Sequence, residues 1–354
     1  MNYQLSDRIY LQRCAQLAAL GTGLVLDSPR VGAVLVVENQ VIGEGYHQRA
    51  GQAHAEVNCL AAVREADRHL IPQATLYVSL EPCCIAGRTG ACTDVIQRNG
   101  IKTVVFAQRD ATREVDGKSV AILRQTGVTV REYPDFNPTL SVNAHRRILT
   151  LEERPRVLLK YAQSVDGMLR PADRTADYWI TSPISRRLVH RWRTETSAIL
   201  VGGRTVVEDD PALTPRFFPG PAPVPVILDP RNRVSGKERL FTRGDQMPLV
   251  FAGAVRPELR GEVVVIPPTL DKAALTQVLS EVASRRLGQL TVEGGAGILR
   301  AFLAAGLWDE ARVFTGGVRF GAGLEAPQLG PAASLISSET IGTDLLRTYI
   351  NTKA

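Results

Sequence analysis

The stretch that decides the fold is AHAEVNCLAAVREADRHLIPQATLYVSLEPCC, residues 53–84. Its segment AEVNCLAAVREA has apolar residues at helical spacing, whereas ATLYVSL is a short run typical of a β-strand. His54 stands at the start of the helix and Cys83 follows the strand. In α/β proteins such strand–helix junctions gather at one edge of the sheet, where ligands commonly bind. The stretch therefore predicts a layered α/β domain with a site at a sheet edge.

The same alternation continues through the first half of the chain. The pattern predicts a helix that Ser6 caps and Gly21 ends, followed by two strands around a turn at 38–40. A strand, a helix and a strand then follow up to residue 133. Residues 135–155 are less regular and suit a linker. We place a first domain, with helices on both faces of a sheet, at residues 1–149.

The second half shows another α/β pattern. The runs RVLLKYAQS, AILVGG, VPVILD, LVFAG, EVVVIP and QLTVEGG are strand-like. Helices are predicted at ISRRLVHRWRTE, AGILRAFLAAGL and residues 271–286, and a proline-rich loop runs from 209 to 225. No internal repeat relates the two halves. The sequence therefore predicts a second, unlike α/β domain at residues 150–354.

Length and composition narrow the class of protein. At 354 residues, with 44% hydrophobic and 22% charged residues, the chain is of ordinary globular composition. The net charge of +6 is spread without a basic run, which disfavours nucleic acid and suits a phosphorylated small molecule. The sequence contains no apolar run long enough to span a membrane, so no membrane span is expected. The N-terminus lacks the apolar core of a signal peptide. Five cysteines, an odd number, argue against a disulfide framework, so we expect a reduced, cytoplasmic protein.

The first half of the chain contains three residues of the kinds that bind zinc. They are His54, Cys83, which follows Pro82, and Cys92. Three such ligands leave a zinc ion one position for water, which then ionises near neutral pH. Glu56 is not needed as a ligand and is placed to move protons. His-x-Glu followed later by Pro-Cys is the signature of zinc deaminases that act on nucleobase-like rings.

Two other interpretations of these residues stay open at this point. His54 could lie on a helix surface and the cysteines in the core, although their joint pattern disfavours this. A closed structural zinc site with Cys59 or Cys84 as fourth ligand would leave Glu56 without a role. Cys14 and Cys59 lie in apolar helical patterns and are expected to be buried, inert thiols.

The first half resembles the deaminase part of the bifunctional riboflavin biosynthesis family. Members of that family join a diaminohydroxyphosphoribosylaminopyrimidine deaminase to a 5-amino-6-(5-phosphoribosylamino)uracil reductase. The motifs that carry the likeness are GEGYHQRAGQAHAE at 43–56, SLEPC at 79–83, and GRT at 87–89 before Cys92. The spacing between Cys83 and Cys92 differs from the Pro-Cys-x-x-Cys of nucleoside and transfer-RNA deaminases.

This resemblance implies a role for each candidate residue. His54, Cys83 and Cys92 would bind zinc, Glu56 would be the catalytic proton shuttle, and Cys84 would have no part in the site. The fold implied is a cytidine-deaminase-like three-layer α/β/α domain.

Four further motifs of the same family follow in order in the second half. They are LKYAQSVDG at 159–167, WIT at 179–181, VHRWRTETSAILVGGRTVVEDDPALT at 189–214 and VEGGAGILRAFLAAGLWDE at 292–310. Each motif is weak alone, and EGGAG lacks the spacing of the Rossmann fingerprint. Because all four follow in the family's order behind a deaminase, together they indicate the reductase part of that family. The resemblance implies a dihydrofolate-reductase-like α/β domain that binds NADPH.

The resemblance also assigns cofactor and substrate positions in the second half. Positions that match cofactor contacts are Ala162, Trp179, Thr205, Asp209, Gly295, Ala296 and Gly297. Positions that match substrate contacts are Arg193, Leu213, Arg216 and Glu293. The glycines would let backbone N–H groups approach a pyrophosphate at a helix N-terminus, and the arginines suit a 5′-phosphate. Alternatively, Trp179 and Leu213 are core residues and Arg193 lies on a solvated helix face.

The sequence departs from the family at positions near the substrate. Ser28, in a loop that continues through Arg30, replaces an asparagine, and Ile85 and Ala86 replace a segment that usually carries histidine. Asp177 replaces a small hydroxyl residue. Because the zinc-type residues all match, the sequence predicts the reaction type more sharply than the substrate.

We therefore predict a bifunctional enzyme with a phosphorylated pyrimidine as substrate. The first domain would deaminate 2,5-diamino-6-(5-phosphoribosylamino)pyrimidin-4-one, and the second would use NADPH to reduce the ribosyl chain to ribityl. One alternative is a deaminase–reductase for a different pyrimidine or purine. Another is a deaminase domain that keeps zinc only for structure. Relatives of this kind commonly assemble, so a homo-oligomer is expected.

Overall fold

The chain forms two compact units in the computed structural model, Met1–Glu152 and Glu153–Ala354. The structure describes residues 3–25, 28–85, 90–173, 178–242 and 246–353. Within these ranges no helix has the length and apolar character needed to cross a membrane. The boundary predicted between residues 149 and 150 falls inside the last helix of the first unit.

The first unit is built around a mixed sheet. Its helices in the described chain are α1 (Tyr3–Leu20), α2 (Ala55–Ala61), a 3₁₀-helix (Glu65–Gln73), α3 (Cys92–Arg98), α4 (Lys118–Gln125), α5 (Asn137–Val142) and α6 (Ala144–Leu151). Its strands are β1 (Gly32–Val37), β2 (Gln40–Tyr46), β3 (Thr75–Leu80), β4 (Thr103–Gln108) and β5 (Thr129–Glu132). The sheet order is β2-β1-β3-β4-β5. Strand β1 is antiparallel to both neighbours, whereas β3, β4 and β5 run parallel.

Alternating side chains of β1 divide the core of this unit into two layers. Val34 and Val36 pack with residues of α1, and Ala33 and Leu35 pack with residues of α2, α3 and α4. Because successive strand residues point to opposite faces, a strand that is apolar throughout needs helices on both sides. The predicted three-layer α/β/α arrangement is confirmed.

Two predicted helix limits in the first unit are wrong. α1 begins at Tyr3, so Ser6 lies inside the helix instead of capping it. The helix predicted through Ala66 ends at Ala61. There the chain turns so that Val63 enters the core, 3% exposed, and this packing overrides the helical periodicity of the sequence.

The segment predicted as a linker, residues 135–155, is mostly helical. It contains α5 and α6, and α6 buries His145 and Ile148 while its other face stays outside. Two short helices offer few apolar positions, so their periodicity is weak in the sequence. Both helices belong to the first unit, which ends at Glu152, and α5 packs against α1.

The second unit is built around a long sheet. Its helices in the described chain are α7 (Pro183–Glu195), α8 (Gly203–Asp209), α9 (Arg239–Thr242), α10 (Lys272–Ser284) and α11 (Ala296–Ala305). Its strands are β6 (Arg156–Gln163), β7 (Met168–Pro171), β8 (Ala198–Gly202), β9 (Val224–Asp229), β10 (Leu249–Ala252), β11 (Glu262–Val265), β12 (Gln289–Val292), β13 (Glu310–Thr315), β14 (Gly323–Glu325), β15 (Ala333–Ile341) and β16 (Asp344–Asn351). The main sheet has the order β11-β10-β9-β8-β12-β6-β13-β16-β15, and β7 pairs with β14.

The direction of these strands places the carboxyl ends of β9, β8, β12 and β6 side by side. They run parallel. β8 leads directly into α8, and β12 leads into α11 through the turn 293–295. Helix α10 begins after Asp271, whose carboxylate accepts the backbone N–H of Ala274 at 2.9 Å. In open parallel sheets the ligand crevice lies at the carboxyl ends of the strands.

The sequence prediction missed the strands near the C-terminus. β13 begins at Glu310, which is buried because Arg156 and Arg312 pair with it. β15 is a polar edge strand whose residues are mostly exposed. Neither strand shows the apolar alternation by which a half-buried strand is recognised.

Candidate active sites

The three predicted zinc ligands converge at one point of the first unit. His54 is the N-cap of α2, Cys83 follows β3, and Cys92 is the first residue of α3. Their ligand atoms all lie within 4.8 Å of one another. His54 Nδ1 is 3.2 Å from the sulfur of Cys92 and 3.5 Å from that of Cys83. Ligands of a tetrahedral zinc lie roughly 3.6 Å apart, given bond lengths of about 2.0–2.3 Å, so the set fits this ion.

The protonation of the two cysteines also suits a metal site. Hydrogen bonds from Cys92 and His54 lower the pKa of the Cys83 thiol, and the bond with Cys83 raises the pKa of Cys92. The backbone N–H of Cys92 also donates to the Cys83 sulfur, at 3.4 Å. The two thiols thus share a hydrogen bond, and a zinc ion held here would bind both cysteines as thiolates.

Glu56 lies beside these ligand atoms on the first turn of α2 and is only 3% exposed. Burial raises the pKa of its carboxyl group, and the charge of Cys83 raises it further. Glu56 lines the same cavity, of about 430 Å³, as His54 and Cys83. A carboxyl group with a raised pKa at this place can hold a proton and release it.

The cavity wall contains polar residues that the sequence prediction did not single out, among them His47, Glu81 and Asp110. The His47 ring lies 5.5 Å from that of His54, between centroids. His47 Nδ1 donates to the carbonyl oxygen of Pro29, at 3.2 Å. In the described part of the chain its buried Nε2 has no hydrogen-bond partner. His47 lies within the motif GEGYHQRAGQAHAE, which was the available signal.

The positions that depart from the family lie in different places. Ser28 lines the cavity. Arg30 lies next to it, and its backbone groups bond to a side chain of the α5–α6 segment. Ile85 is 44% exposed. Ala86 and Asp177 lie outside the described residues.

The remaining cysteines lie apart from the ligand cluster. The thiol of Cys84 donates to the carbonyl oxygen of Glu114, at 3.7 Å. Cys14 and Cys59 are buried in the core, as predicted. Burial raises the pKa of both thiols, which makes them unreactive.

A second cavity, of about 1150 Å³, lies at the carboxyl ends of the parallel strands in the second unit. The predicted cofactor positions that line it are Ala162, Thr205, Asp209, Gly295, Ala296 and Gly297. The exposed Trp179 ring stacks against the Arg186 guanidinium, 4.2 Å from the ring centroid. The structure thus brings all but one of these positions to one cleft.

The turn before α11 has the form of a phosphate cradle. Gly295 caps α11 with φ +40°, a conformation that favours glycine. A Cβ on Gly294 would lie 2.7 Å from Val201 Cα, so this position needs glycine, whereas Gly297 faces open space. The first N–H groups of a helix have no partner within it and attract phosphate oxygens. The turn therefore fits a dinucleotide pyrophosphate.

Charged side chains meet at the far side of this cleft. Arg193 donates to both carboxylate oxygens of Glu293, at 2.8 and 3.2 Å, and to the Thr214 carbonyl oxygen at 3.2 Å. Burial alone would raise the pKa of Glu293, but Arg193 and Lys160 together lower it to about 2. Lys160, which lines the cleft with Glu293, was not predicted. A lone lysine within the apolar strand RVLLKYAQ was its signal.

The two other predicted substrate positions lie on the loop after α8. Leu213 is buried, with φ +53°, and Arg216 is exposed. The Arg216 guanidinium is 5.8 Å from the Phe217 ring, whose centroid is 4.5 Å from that of His190. Arg216 therefore lies at the protein surface, on the loop that contacts α7 through Phe217.

Comparison with known proteins places both sites in a family. The cytidine and deoxycytidylate deaminase zinc-binding region matches residues 5–108, and the RibD C-terminal domain matches residues 155–347. Riboflavin biosynthesis protein RibD of Aquifex aeolicus is 37% identical over 330 residues, which is 92% of this chain and 90% of that protein. The chain belongs to the RibD family.

Solved structures of RibD proteins agree with this assignment. One is the crystal structure of a diaminohydroxyphosphoribosylaminopyrimidine deaminase/5-amino-6-(5-phosphoribosylamino)uracil reductase from Thermotoga maritima. It is 31% identical, covers 99% of this chain and 100% of that chain, and has a TM-score of 0.87. RibD of Acinetobacter baumannii is 29% identical, with 98% of each chain covered and a TM-score of 0.86.

As a member of the RibD family, the chain is a bifunctional enzyme of riboflavin biosynthesis that combines a deaminase with a reductase. Its cofactors are zinc and NADPH. The predicted fold class is confirmed, with a cytidine-deaminase-like unit followed by a dihydrofolate-reductase-like unit. The RibD assignment favours the first of the predicted functions over its alternatives.

Proposed function

We propose that the first unit carries out hydrolytic deamination with His54, Cys83 and Cys92 as the zinc ligands and Glu56 as the catalytic acid–base group. The observation that supports this most is the convergence of three ligand atoms within 4.8 Å, beside a buried carboxyl group. When bound, zinc supplies a water-derived nucleophile near neutral pH. Glu56 would act as the proton shuttle and deliver a proton to the exocyclic amine, so that ammonia leaves. Burial raises the pKa of its carboxyl group, which suits this role.

We propose 2,5-diamino-6-(5-phosphoribosylamino)pyrimidin-4-one as the substrate of this unit. The Thermotoga maritima protein is described as a deaminase of this kind. A cavity of about 430 Å³ is of a size that holds a pyrimidine, and His47, Glu81 and Asp110 offer hydrogen-bonding groups to its ring. The basic net charge of +6 suits a phosphorylated ligand.

For the second unit we propose that Gly295, Ala296 and Gly297 hold the NADPH pyrophosphate. Further contacts to the cofactor would come from Ala162, Trp179, Thr205 and Asp209. When bound, NADPH supplies the hydride that reduces the ribosyl chain. The residues of the chain position the two reactants, which is the main contribution of a protein to cofactor chemistry.

The charged residues of the second unit have separate roles in this proposal. Glu293 and Lys160 line the cleft and are placed to bind hydroxyl groups of the substrate. Arg193 is committed to Glu293 and to the Thr214 carbonyl oxygen, so it fixes the carboxylate rather than binding phosphate. The exposed Arg216 then binds the 5′-phosphate, next to Leu213.

We also propose that the enzyme is a homo-oligomer that works in the cytoplasm. The edge strand β15 exposes Leu335 and Ile336, and an uncovered edge strand favours pairing with another chain. All five cysteines are unpaired thiols, which suits a reducing compartment. Sedimentation velocity of the purified enzyme would test the assembly, and a monomer at micromolar concentration would contradict it.

The deaminase proposal is tested by replacing Glu56 with alanine. Purified wild type should hold one zinc per deaminase unit and release ammonia from the diaminopyrimidine substrate. Glu56→Ala should keep its zinc and lose ammonia release by at least about 100-fold, since general acid–base groups contribute roughly 10²–10⁴-fold. NADPH oxidation with the deaminated substrate should stay normal. Ammonia release that survives with zinc bound would overturn the role of Glu56.

A further inference from the structure

The helical segment α5–α6 holds one loop of the deaminase cavity at Arg30, whose guanidinium donates to the Val142 carbonyl oxygen at 3.4 Å and whose backbone bonds to the Asn143 amide. The backbone N–H of Arg30 donates to Asn143 Oδ1, and Asn143 Nδ2 donates to the Arg30 carbonyl oxygen, both at 2.8 Å. Asn143, between α5 and α6, is only 7% exposed and so is shielded from competing water. One side-chain amide therefore satisfies both backbone groups of a loop residue, as a neighbouring strand would.

The loop that Asn143 holds forms part of the cavity wall. Pro29 and Val31, on either side of Arg30, both line the cavity. The carbonyl oxygen of Pro29 accepts the Nδ1 proton of His47 at 3.2 Å, and His47 N–H donates to the Val31 carbonyl oxygen at 2.9 Å. The position of Arg30 thus fixes the path of the loop backbone, and the loop backbone fixes the orientation of the His47 ring.

A second contact ties the same segment to the other side of the cavity. Arg146, on α6, donates to Thr112 Oγ1 at 3.1 Å. The N–H of Thr112 in turn donates to Asp110 Oδ1 at 2.8 Å, and Asp110 lines the cavity. The segment therefore contacts two loops that border the cavity, although Asn143 and Arg146 do not line it themselves.

Neither matching family model assigns a function to this segment. The zinc-binding region ends at residue 108, and the RibD C-terminal domain begins at residue 155. The zinc-type ligands and Glu56 all precede residue 108. The segment lies between the two models in the sequence but belongs to the first unit.

We propose that Asn143 is a positioning residue of the deaminase site, which acts through the 28–31 loop and His47 to shape the substrate cavity. This rests on the proposed deaminase function of the first unit. Because the held loop carries neither a zinc-type ligand nor Glu56, its displacement weakens substrate binding more than the chemical step. Loss of the amide therefore raises KM for deamination and leaves kcat nearly unchanged.

The test uses two variants of Asn143 in the full-length enzyme. Asn143→Ala removes both hydrogen bonds, and Asn143→Asp keeps the shape but replaces the donor that faces the Arg30 carbonyl oxygen. Both should raise KM for deamination about tenfold while kcat changes less than about twofold. The zinc content and the kcat/KM of the reductase step should match wild type. A packing role alone would leave Asn143→Asp close to wild type.

Thr139→Val is the matched control. Thr139, on α5, is fully buried, and its hydroxyl donates to the Phe136 carbonyl oxygen at 2.8 Å, within the segment itself. Thr139→Val should lower the stability of the enzyme without raising KM for deamination. All KM values are measured at a temperature well below the unfolding temperature of every variant. Equal KM values for wild type and both folded Asn143 variants would overturn the positioning role. Absence of ammonia release from zinc-loaded wild type would instead overturn the deaminase function.

Discussion

Arg193 and Glu293 form a buried, two-point ion pair on the wall of the reductase cleft, with N–O distances of 2.8 and 3.2 Å. The two residues are 100 positions apart and lie on α7 and directly after β12. Lys160 lowers the pKa of the same carboxylate, so one anion faces two cations. The pair connects the helix layer to the carboxyl edge of the sheet at the place where substrate is proposed to bind.

Replacing Glu293 with glutamine should destabilise the second unit. Two cations, Arg193 and the half-buried Lys160, would lose their counter-charge. Breaking a buried ion pair costs about 3–5 kcal/mol. NADPH oxidation with the deaminated substrate should fall strongly, while ammonia release by the first unit should persist. Denaturant unfolding and the two activities measure these effects.

The exposed pair of Glu262 and Arg285 is the control for that variant. The Glu262 side chain is 59% exposed, so solvent screens the pair. Glu262→Gln should change stability by less than about 1 kcal/mol. A comparable loss of stability in both variants would show that the effect of Glu293→Gln does not come from burial of the Arg193–Glu293 pair.

The stability of the second unit should depend on pH through His190. Burial, together with the nearby charges of Arg193 and Arg216, lowers the pKa of His190 to about 4. In the unfolded chain the pKa of histidine is about 6.5. Between about pH 6.5 and pH 4 the unfolded state binds the extra proton, so the free energy of unfolding decreases as pH falls. Above about pH 6.5 this contribution does not vary.

His190→Gln tests that pH dependence. Denaturant midpoints at about pH 7 and pH 5 should differ less for the variant than for wild type, because the variant lacks the titrating ring. His190 accepts the Phe217 N–H at 3.5 Å, so the variant also loses some stability at both pH values. Parallel pH profiles for the two proteins would contradict the assignment to His190.

The zinc-type cluster could be predicted from the sequence because its residues stand at element junctions. His54 caps α2, Cys83 follows β3 and Cys92 opens α3, and junctions of this kind meet at one sheet edge. Their chemistry is also unusual enough to stand out in the sequence. Asn143 offered no such signal, since an asparagine between short helices is ordinary and its partner Arg30 is 113 residues away.

The strands and charges that the prediction missed depend on contacts between distant segments. Glu310 can be buried in β13 because Arg312 and Arg156, the latter 154 residues away, pair with it. Lys160 is half-buried within β6 and gains its counter-charge from Glu293. Local periodicity reports which face of an element is apolar, but not which distant residue neutralises a buried charge. Sequence reasoning therefore found the layers of the fold more readily than its buried ion pairs.

The adjacent cysteines Cys83 and Cys84 should behave differently on substitution. Cys83→Ser should lose zinc, because serine is a poor replacement for a thiolate ligand. Cys84→Ser should keep zinc and ammonia release, since the Cys84 thiol donates to the Glu114 carbonyl oxygen instead of joining the cluster. Zinc per chain, measured by mass spectrometry after dialysis, separates the two. Zinc loss in Cys84→Ser with retention in Cys83→Ser would reverse the ligand assignment.

Two glycines at the reductase cleft should respond oppositely to alanine. A Cβ on Gly203 would lie 2.3 Å from Asp229 Oδ1, and Asp229 is fixed because the same carboxylate accepts the Val234 N–H at 2.9 Å. Gly203→Ala should therefore cost about 1–3 kcal/mol of stability through overpacking. A Cβ on Gly297 meets no atom within 4 Å, so Gly297→Ala should keep or gain up to about 1 kcal/mol in α11.

The Gly297 variant separates stability from cofactor binding. Its new methyl group would project into the cleft at the first turn of α11, where the NADPH pyrophosphate is proposed to lie. KM for NADPH should rise, while the thermal midpoint stays at or above that of wild type. Binding of NADPH followed by fluorescence gives the same comparison without turnover. Unchanged NADPH affinity in this stable variant would show that the pyrophosphate does not lie against Gly297, because a methyl group there would then meet no cofactor atom.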